Sequence, residues 1–424
     1  MDPSSSTTTS LDPWLHEQAI AEQDSDTFIY LLNIDLENMK VILLLVACAA
    51  AAHAASWNKP EAAFASALIG VAQPDTSGAF ISGGSNGQGA EALKSTDGGK
   101  TWNPMAIGKC FLLLDTGATS DKSVVINGLF GAQYSTDGTS FQASRGGGGQ
   151  GQSVEGMGKN GYGIVGAFGG VAGGVATSTD GGKTFQASAV SVLDANHPVR
   201  YGAYPSDKTW YVSAGSWPSN SENFGSDEKS LLIKHLSETI QIRKDRASGE
   251  FFYNYIDPKE LRKAAPSNNI TAYHAAITKT TDGGKTFTKL FEKDNACFYF
   301  NGIDCFDEMT CIAAAEGHNC ANPGAYFYVT HDGGKTWNAT GSDAGGGAMG
   351  ARMVSKTEGW IAGGGPNKLG LMEGRFFHTV DGGASWQKVI VEGIIPLGLD
   401  CANADNCVAT AVTNTRQATV VLYN

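Results

Sequence analysis

Short apolar runs recur along this chain, each bounded by glycine, asparagine or aspartate. They are Ala79-Phe-Ile-Ser-Gly-Gly84, Ser123-Val-Val-Ile-Asn-Gly128, Gly161-Tyr-Gly-Ile-Val-Gly166, Thr209-Trp-Tyr-Val-Ser-Ala214, Thr310-Cys-Ile-Ala-Ala-Ala315, Gly359-Trp-Ile-Ala-Gly-Gly364 and Asn406-Cys-Val-Ala-Thr-Ala411. Runs this short, rich in β-branched and small residues, read as buried strands rather than helices. The pattern predicts seven equivalent strands.

A polar octapeptide follows most of these runs. Its copies, the second one residue shorter, are Ser95-Thr-Asp-Gly-Gly-Lys-Thr-Trp102, Ser135-Thr-Asp-Gly-Thr-Ser-Phe141, Ser178-Thr-Asp-Gly-Gly-Lys-Thr-Phe185, Thr280-Thr-Asp-Gly-Gly-Lys-Thr-Phe287, Thr330-His-Asp-Gly-Gly-Lys-Thr-Trp337 and Thr379-Val-Asp-Gly-Gly-Ala-Ser-Trp386. The aspartates Asp97, Asp137, Asp180, Asp282, Asp332 and Asp381 are spaced by 40, 43, 102, 50 and 49 residues. An Asp-Gly-Gly sequence supplies a side-chain acceptor for backbone N–H groups and residues free to take positive φ, the chemistry of a hairpin turn. The closing aromatics Trp102, Phe185, Phe287, Trp337 and Trp386 are expected to anchor each turn in the core. The six aspartates are read as turn staples, not as catalysts or metal ligands.

A repeat of 40–50 residues built from strands predicts an all-β fold, a single seven-bladed β-propeller of four-stranded antiparallel blades spanning 55–424. Seven strands accompany only six turns. The chain ends on the strand-like Ala418-Thr-Val-Val-Leu-Tyr423, while Ala55-Ser-Trp-Asn-Lys59 matches Ala384-Ser-Trp-Gln-Lys388 just after a turn. The N-terminal strand is therefore expected to complete the last blade and close the ring, which removes exposed sheet edges. The 102-residue spacing marks an insertion at 219–268 in blade 4, with eight acidic and eight basic residues. Leu232, Leu236 and Ile240 at helical spacing predict a helix over 226–246, and Asp257-Pro-Lys-Glu260 reads as a second helix start. A lid or partner arm and a retained intron are the two readings of this insertion.

Charge sharpens the picture at the N-terminus. The formal charge is −12, yet residues 1–38 hold eight acidic residues and no Lys or Arg. Met39-Lys40, the apolar run from Val41 and Ala52-His-Ala54 read as a signal peptide over 39–54, too short for a comfortable bilayer span. Residues 1–38 are then expected to be an acidic extension absent from the mature protein. Without both segments the charge is a mild −5, and no basic patch suggests nucleic acid.

The octapeptide resembles the Asp-box (BNR) repeat of sialidase-like propellers. Glu358-Gly-Trp-Ile-Ala-Gly-Gly364 followed by His378-Thr-Val-Asp-Gly-Gly-Ala-Ser-Trp386 looks most like the photosystem II assembly and stability factors. The resemblance implies the fold; for function it admits sialidases, xyloglucanases, receptors and non-enzymatic assembly factors alike. Sialidase chemistry implies three arginines around a carboxylate, an aspartate acid/base and a Tyr–Glu nucleophile pair. Outside the insertion the arginines are Arg145, Arg200, Arg352, Arg375 and Arg416. Arg200 and Arg352 begin inner strands and are the candidates to face the central channel. Asp115, Asp304 and Asp400 lie on or near inner strands but fit caps as well as catalysts. No P-loop and no His-Glu-x-x-His is present, and neither metal nor cofactor is implied.

Cys305 with Cys311 and Cys401 with Cys407 occupy one repeated frame, Gly-x-Asp-Cys with five intervening residues, which suits a disulfide across a hairpin in an oxidising compartment. Cys297 and Cys320 form a candidate third bridge, leaving Cys110. Asn269 and Asn338 head glycosylation sequons. These features favour a secreted or luminal propeller, with the thylakoid lumen as alternative, that binds a protein or glycan on its loop face. A glycoside hydrolase of the same superfold is the rival reading.

Overall fold

Each apolar run of the sequence is the second strand of a four-stranded antiparallel sheet. The computed structural model describes residues 56–58, 64 and 67–424, short loop stretches excepted, and within 217–272 only the backbone of 240–244 and 251–255. The leader, the signal segment, Asn269 and Cys320 lie outside the described residues.

Seven such sheets follow one another: blade 1 over 67–104, blade 2 over 113–143, blade 3 over 149–187, blade 4 over 199–296, blade 5 over 299–344, blade 6 over 347–392 and blade 7 from 394 to 423. The fourth strand of blade 7 is Trp57–Asn58, which pairs with Ala418–Tyr423 through Trp57 opposite Tyr423 and Asn58 opposite Leu422. The ring thus closes by pairing Trp57–Asn58 with the strand at 418–423, as the sequence predicts. No helix among the described residues is long and apolar enough to cross a membrane.

The core lies between blades, where each closing aromatic packs against the sheet before its own. Phe185 joins a cluster from blades 2 and 3, Trp337 one from blades 4 and 5, and Trp386 one from blades 5 and 6. Trp57 takes this position between blades 6 and 7, stacked on Phe376 with ring centroids 3.7 Å apart. The match between Ala55-Ser-Trp57 and Ala384-Ser-Trp386 therefore has a structural meaning, since both tryptophans do the same packing job.

Each Asp-box turn joins the third strand of its blade to the fourth. Ser95 Oγ donates to Asp97 Oδ1 at 2.8 Å and accepts from Gly99 N at 2.7 Å, while Thr101 N and Oγ1 donate to the two Asp97 oxygens at 2.9 and 2.6 Å. The second glycine of the box is held at positive φ and seated on the preceding blade: a Cβ on Gly99 would lie 2.5 Å from Leu422, and one on Gly383 would lie 2.5 Å from Val329. The first glycine donates its N–H to the hairpin between the first two strands of its own blade, as Gly98 does to Ser77 O and Gly333 to Met309 O. Turns and first hairpins therefore share one end of the ring, the Asp-box end.

The insertion interrupts blade 4 at the opposite end, between Trp210–Ser216 and Tyr273–Thr280. The helix expected over 226–246 is not what residues 240–244 form: Ile240–Lys244 is a strand paired with Phe251–Tyr255. The alternation in Ile240-Gln-Ile242-Arg and the aromatic run opposite it favour a hairpin over the helical spacing that Ile240 shares with Leu232 and Leu236. The rest of that segment, with the helix start at 257–260, lies outside the described residues.

Candidate functional site

Every innermost strand carries a β-bulge at the same point. The register to the second strand passes over Ile69, Leu114, Gln152, Arg200, Asn301, Met349 and Leu397 in blades 1 to 7. Bulges re-aim the side chains that follow them. Three residues beyond each bulge stand Ala72, Gly117, Glu155, Ala203, Asp304, Arg352 and Asp400. Seven equivalent positions thus place three carboxylates and one guanidinium at one level of the channel, with small residues in blades 1, 2 and 4. All but Gly117 line a cavity of ≈ 350 Å³ that opens at the Asp-box end, rimmed by hairpin residues including Thr119, Gly158, Phe306, Val354 and Ala402.

Arg352 is the hub. Its Nε lies 2.7 Å from Asp400 Oδ1, and its Nη1 lies 3.5 Å from Asp304 Oδ1 and 3.6 Å from Glu155 Oε2. The two aspartates also reach around the ring. Asp304 Oδ2 accepts from Met353 N of blade 6 at 2.7 Å, and Asp400 Oδ2 accepts from Gln73 N beyond the inner strand of blade 1, also at 2.7 Å. Asp115, set lower on its strand, accepts from Val154 N of blade 3 at 3.0 Å. All three are cross-blade caps that accept a backbone N–H of the next blade.

Burial pushes the Glu155 carboxyl well above its ordinary value; Arg352 pulls it back, and the charges of Asp400, Asp115 and Asp304 add to the rise. Asp400 is raised as well, by burial first, against the pull of Arg352 and the N–H groups of Gln73 and Cys401. Burial works against the charge of Arg352, yet Asp400, Asp304 and Glu155 outweigh it and hold the guanidinium firmly protonated. Tyr204 lines the same cavity, and burial first, then Glu155, raises its phenol.

Arg200 goes elsewhere. As the bulge residue of blade 4 it is buried between blades 4 and 5, where Nη2 donates to Asn301 Oδ1 at 2.6 Å and the guanidinium lies 4.9 Å from the Tyr299 ring centre. Asn301 in turn donates to buried Glu316 at 2.6 Å. Arg375 is enclosed by Asp343 and Glu373 at 2.7 and 2.8 Å. The structure therefore brings Arg352, and not Arg200, to the cavity.

The six Asp-box aspartates sit in the turns, outside this cavity. Cys305 bridges Cys311 and Cys401 bridges Cys407 across the first hairpins of blades 5 and 7, next to Asp304 and Asp400. Cys297 is also in a disulfide. Cys110 is half-buried, and Asn338 is exposed at the start of an outer strand. No group of three or more His, Cys, Asp or Glu among the described residues is arranged to hold a metal ion.

Sequence reasoning singled out Arg352, Asp304 and Asp400 and missed Glu155 and Tyr204. Gly302-Ile-Asp304, Gly350-Ala-Arg352 and Gly398-Leu-Asp400 share a visible frame, whereas blade 3 writes it Ser153-Val-Glu155. Aligning all seven inner strands on the bulge is the signal that finds Glu155.

The BNR/Asp-box repeat model matches residues 328–339, the fifth of the six boxes. No curated protein matches the chain. Among solved structures, YCF48 bound to D1 peptide aligns with TM-score 0.51 and 11% identity over 88% of this chain and 97% of its own. YCF48 from Cyanidioschyzon merolae gives 0.50 and 14% over 87% and 98%. A polysaccharide lyase, the PL25 ulvan lyase, gives 0.51 and 10% over 87% and 96% when bound to its saccharide. These likenesses establish a propeller fold that serves binding proteins and enzymes alike.

Proposed function

We propose that the chain is a non-enzymatic binding propeller that holds a protein partner at the Asp-box end of its channel. One observation carries this reading: Asp304, Asp400 and Arg352 of the cavity are already committed to one another and to the backbone. Glycoside hydrolysis needs an acid and a nucleophile or base that face the scissile bond. Here Asp304 and Asp400 are bonded to the backbone of the next blade and to Arg352. Arg352 in turn is surrounded by carboxylates and offers little to a sugar carboxylate. A fold-level neighbour bound to a peptide accords with this reading. The disulfides of the rim suit an oxidising compartment, and we place the protein in the secretory pathway or outside the cell, with the thylakoid lumen as the alternative.

A photoreactive phenylalanine analogue at Thr119 or Phe306, compared with one at exposed Asn338, tests the site. Rim positions should cross-link one and the same protein under native conditions. Equal capture from rim and outer strand would contradict the proposal.

A glycoside hydrolase remains the second reading, because Tyr204 and Glu155 are the residue types of the Tyr–Glu nucleophile pair. The three clasping arginines of that chemistry have no counterpart in the cavity, where the guanidinium present is that of Arg352.

A further inference from the structure

The outermost strand of every blade has one open side. Such an edge presents unpaired N–H and C=O groups on which another chain can add a strand, and proteins blunt it with very short strands or with exposed charges, lysine above all. Among the described residues the outermost strand has two residues in blades 1, 2, 3 and 7. It has nine, seven and six in blades 4, 5 and 6. The three long edges are therefore the ones that need a device.

Two of them carry charge. Blade 4 exposes Lys289, Glu292, Lys293 and Asp294, and blade 6 exposes Lys388 and Glu392. Blade 5 reads Asn338-Ala-Thr-Gly-Ser-Asp-Ala344 and has no basic residue. Its single charge, Asp343, is held by Arg375 and Lys388 of blade 6 at 2.7 and 3.1 Å. The exposed positions Asn338, Ala339, Ser342 and Ala344 carry none.

Blade 5 has instead an acceptor sequence for N-linked sugar, and it lies on the edge itself. Asn338 is the first residue of the strand, pairs with Val329 and is exposed. The register passes over Thr340, whose Oγ1 accepts from Trp386 Nε1 at 3.1 Å. The disulfides Cys305–Cys311 and Cys401–Cys407, and that of Cys297, suit the oxidising compartment in which such sugars are added. An oligosaccharide on Asn338 is bulky and well solvated, and it occupies the approach that an added strand would take.

We propose that Asn338 carries an N-linked oligosaccharide and that this sugar blunts the outer edge of blade 5, as lysines do in blades 4 and 6. The inference rests on the secretory placement of the protein and is independent of what the cavity holds.

The full chain, secreted from insect cells behind a host signal peptide, tests both halves. Asn269 heads the other sequon, so every comparison is made in Asn269→Gln protein. Treatment with an N-glycosidase should lower the mass by that of one glycan. Asn338→Gln should abolish this change, while Thr340→Ser, which keeps both the acceptor sequence and a hydroxyl for Trp386, should preserve it. In sedimentation at rising concentration, Asn338→Gln should associate further than the glycosylated chain. Asn338→Lys, which puts the charge of the neighbouring blades in place of the sugar, should return it to the state of the glycosylated chain. Secreted protein without sugar at Asn338 would overturn the proposal. Unchanged association in Asn338→Gln, or association that Asn338→Lys does not reverse, would overturn the role at the edge. Each of these results leaves cross-linking from Thr119 and Phe306 as it was, so failure here and failure of the binding reading are told apart.

Discussion

At the residue scale, one carboxylate type does two opposite things in this protein. In the Asp boxes it is held ionised by donors: bonds from Thr101 Oγ1 and N bring Asp97 down to about 2, and the same pattern, led by Thr286 and Ser385, does so for Asp282 and Asp381. Folded-state values below the unfolded one stabilise the native state above pH 4 or so, and that contribution is lost as pH falls toward 2. Denaturant midpoints measured from pH 7 to pH 2.5 should therefore drop through this window, and Asp97→Asn should flatten the drop. Glu155 has the reverse sign. Its raised value penalises the folded state as pH rises above the unfolded carboxyl value, so Glu155→Gln should be more stable than wild type at pH 8 and indistinguishable near pH 4. A Glu155→Gln protein less stable at both pH values would contradict the account of the cavity.

At the scale of the element, the repeat was legible because each blade must solve the same problems. A turn needs Asp-Gly-Gly, the gap between blades needs an aromatic, and the inner strand needs small residues. These requirements write themselves into Ser95–Trp102 and its relatives, and into Trp57. The charged level of the channel was only half legible, because its frame depends on a bulge that leaves no fixed residue type: the bulge residue is Ile69 in one blade and Arg200 in another. The helix expected up to 246 failed for a related reason, since three leucine-type residues at helical spacing do not outweigh a strand pattern that finds a partner at 251–255. Ring closure is the element most open to test. Trp57 contributes one of two paired residues in its strand and most of the apolar contact there. Trp57→Ala should cost about 3–5 kcal/mol, read as a lower urea midpoint, whereas a loss below about 1 kcal/mol would show that the terminal strand does not close the ring.

At the scale of the whole molecule, the two ends of the ring differ. The charged cavity opens at the Asp-box end, among disulfide-clamped hairpins, while the insertion interrupts blade 4 at the other. Ser216 and His274 are directly paired where the chain leaves and returns. Replacing 217–272 by a short turn should therefore give a folded β protein with the far-ultraviolet signature of the full chain. Loss of the β signature would show that the insertion belongs to the propeller. The central claim is that the cavity binds and does not catalyse, because its aspartates and Arg352 are bound to one another and to the backbone. The direct measurement is turnover of sialosides, β-glucans and uronate polysaccharides by the purified protein and by Glu155→Gln. The account predicts no turnover by either; turnover by the wild type that Glu155→Gln abolishes would contradict it.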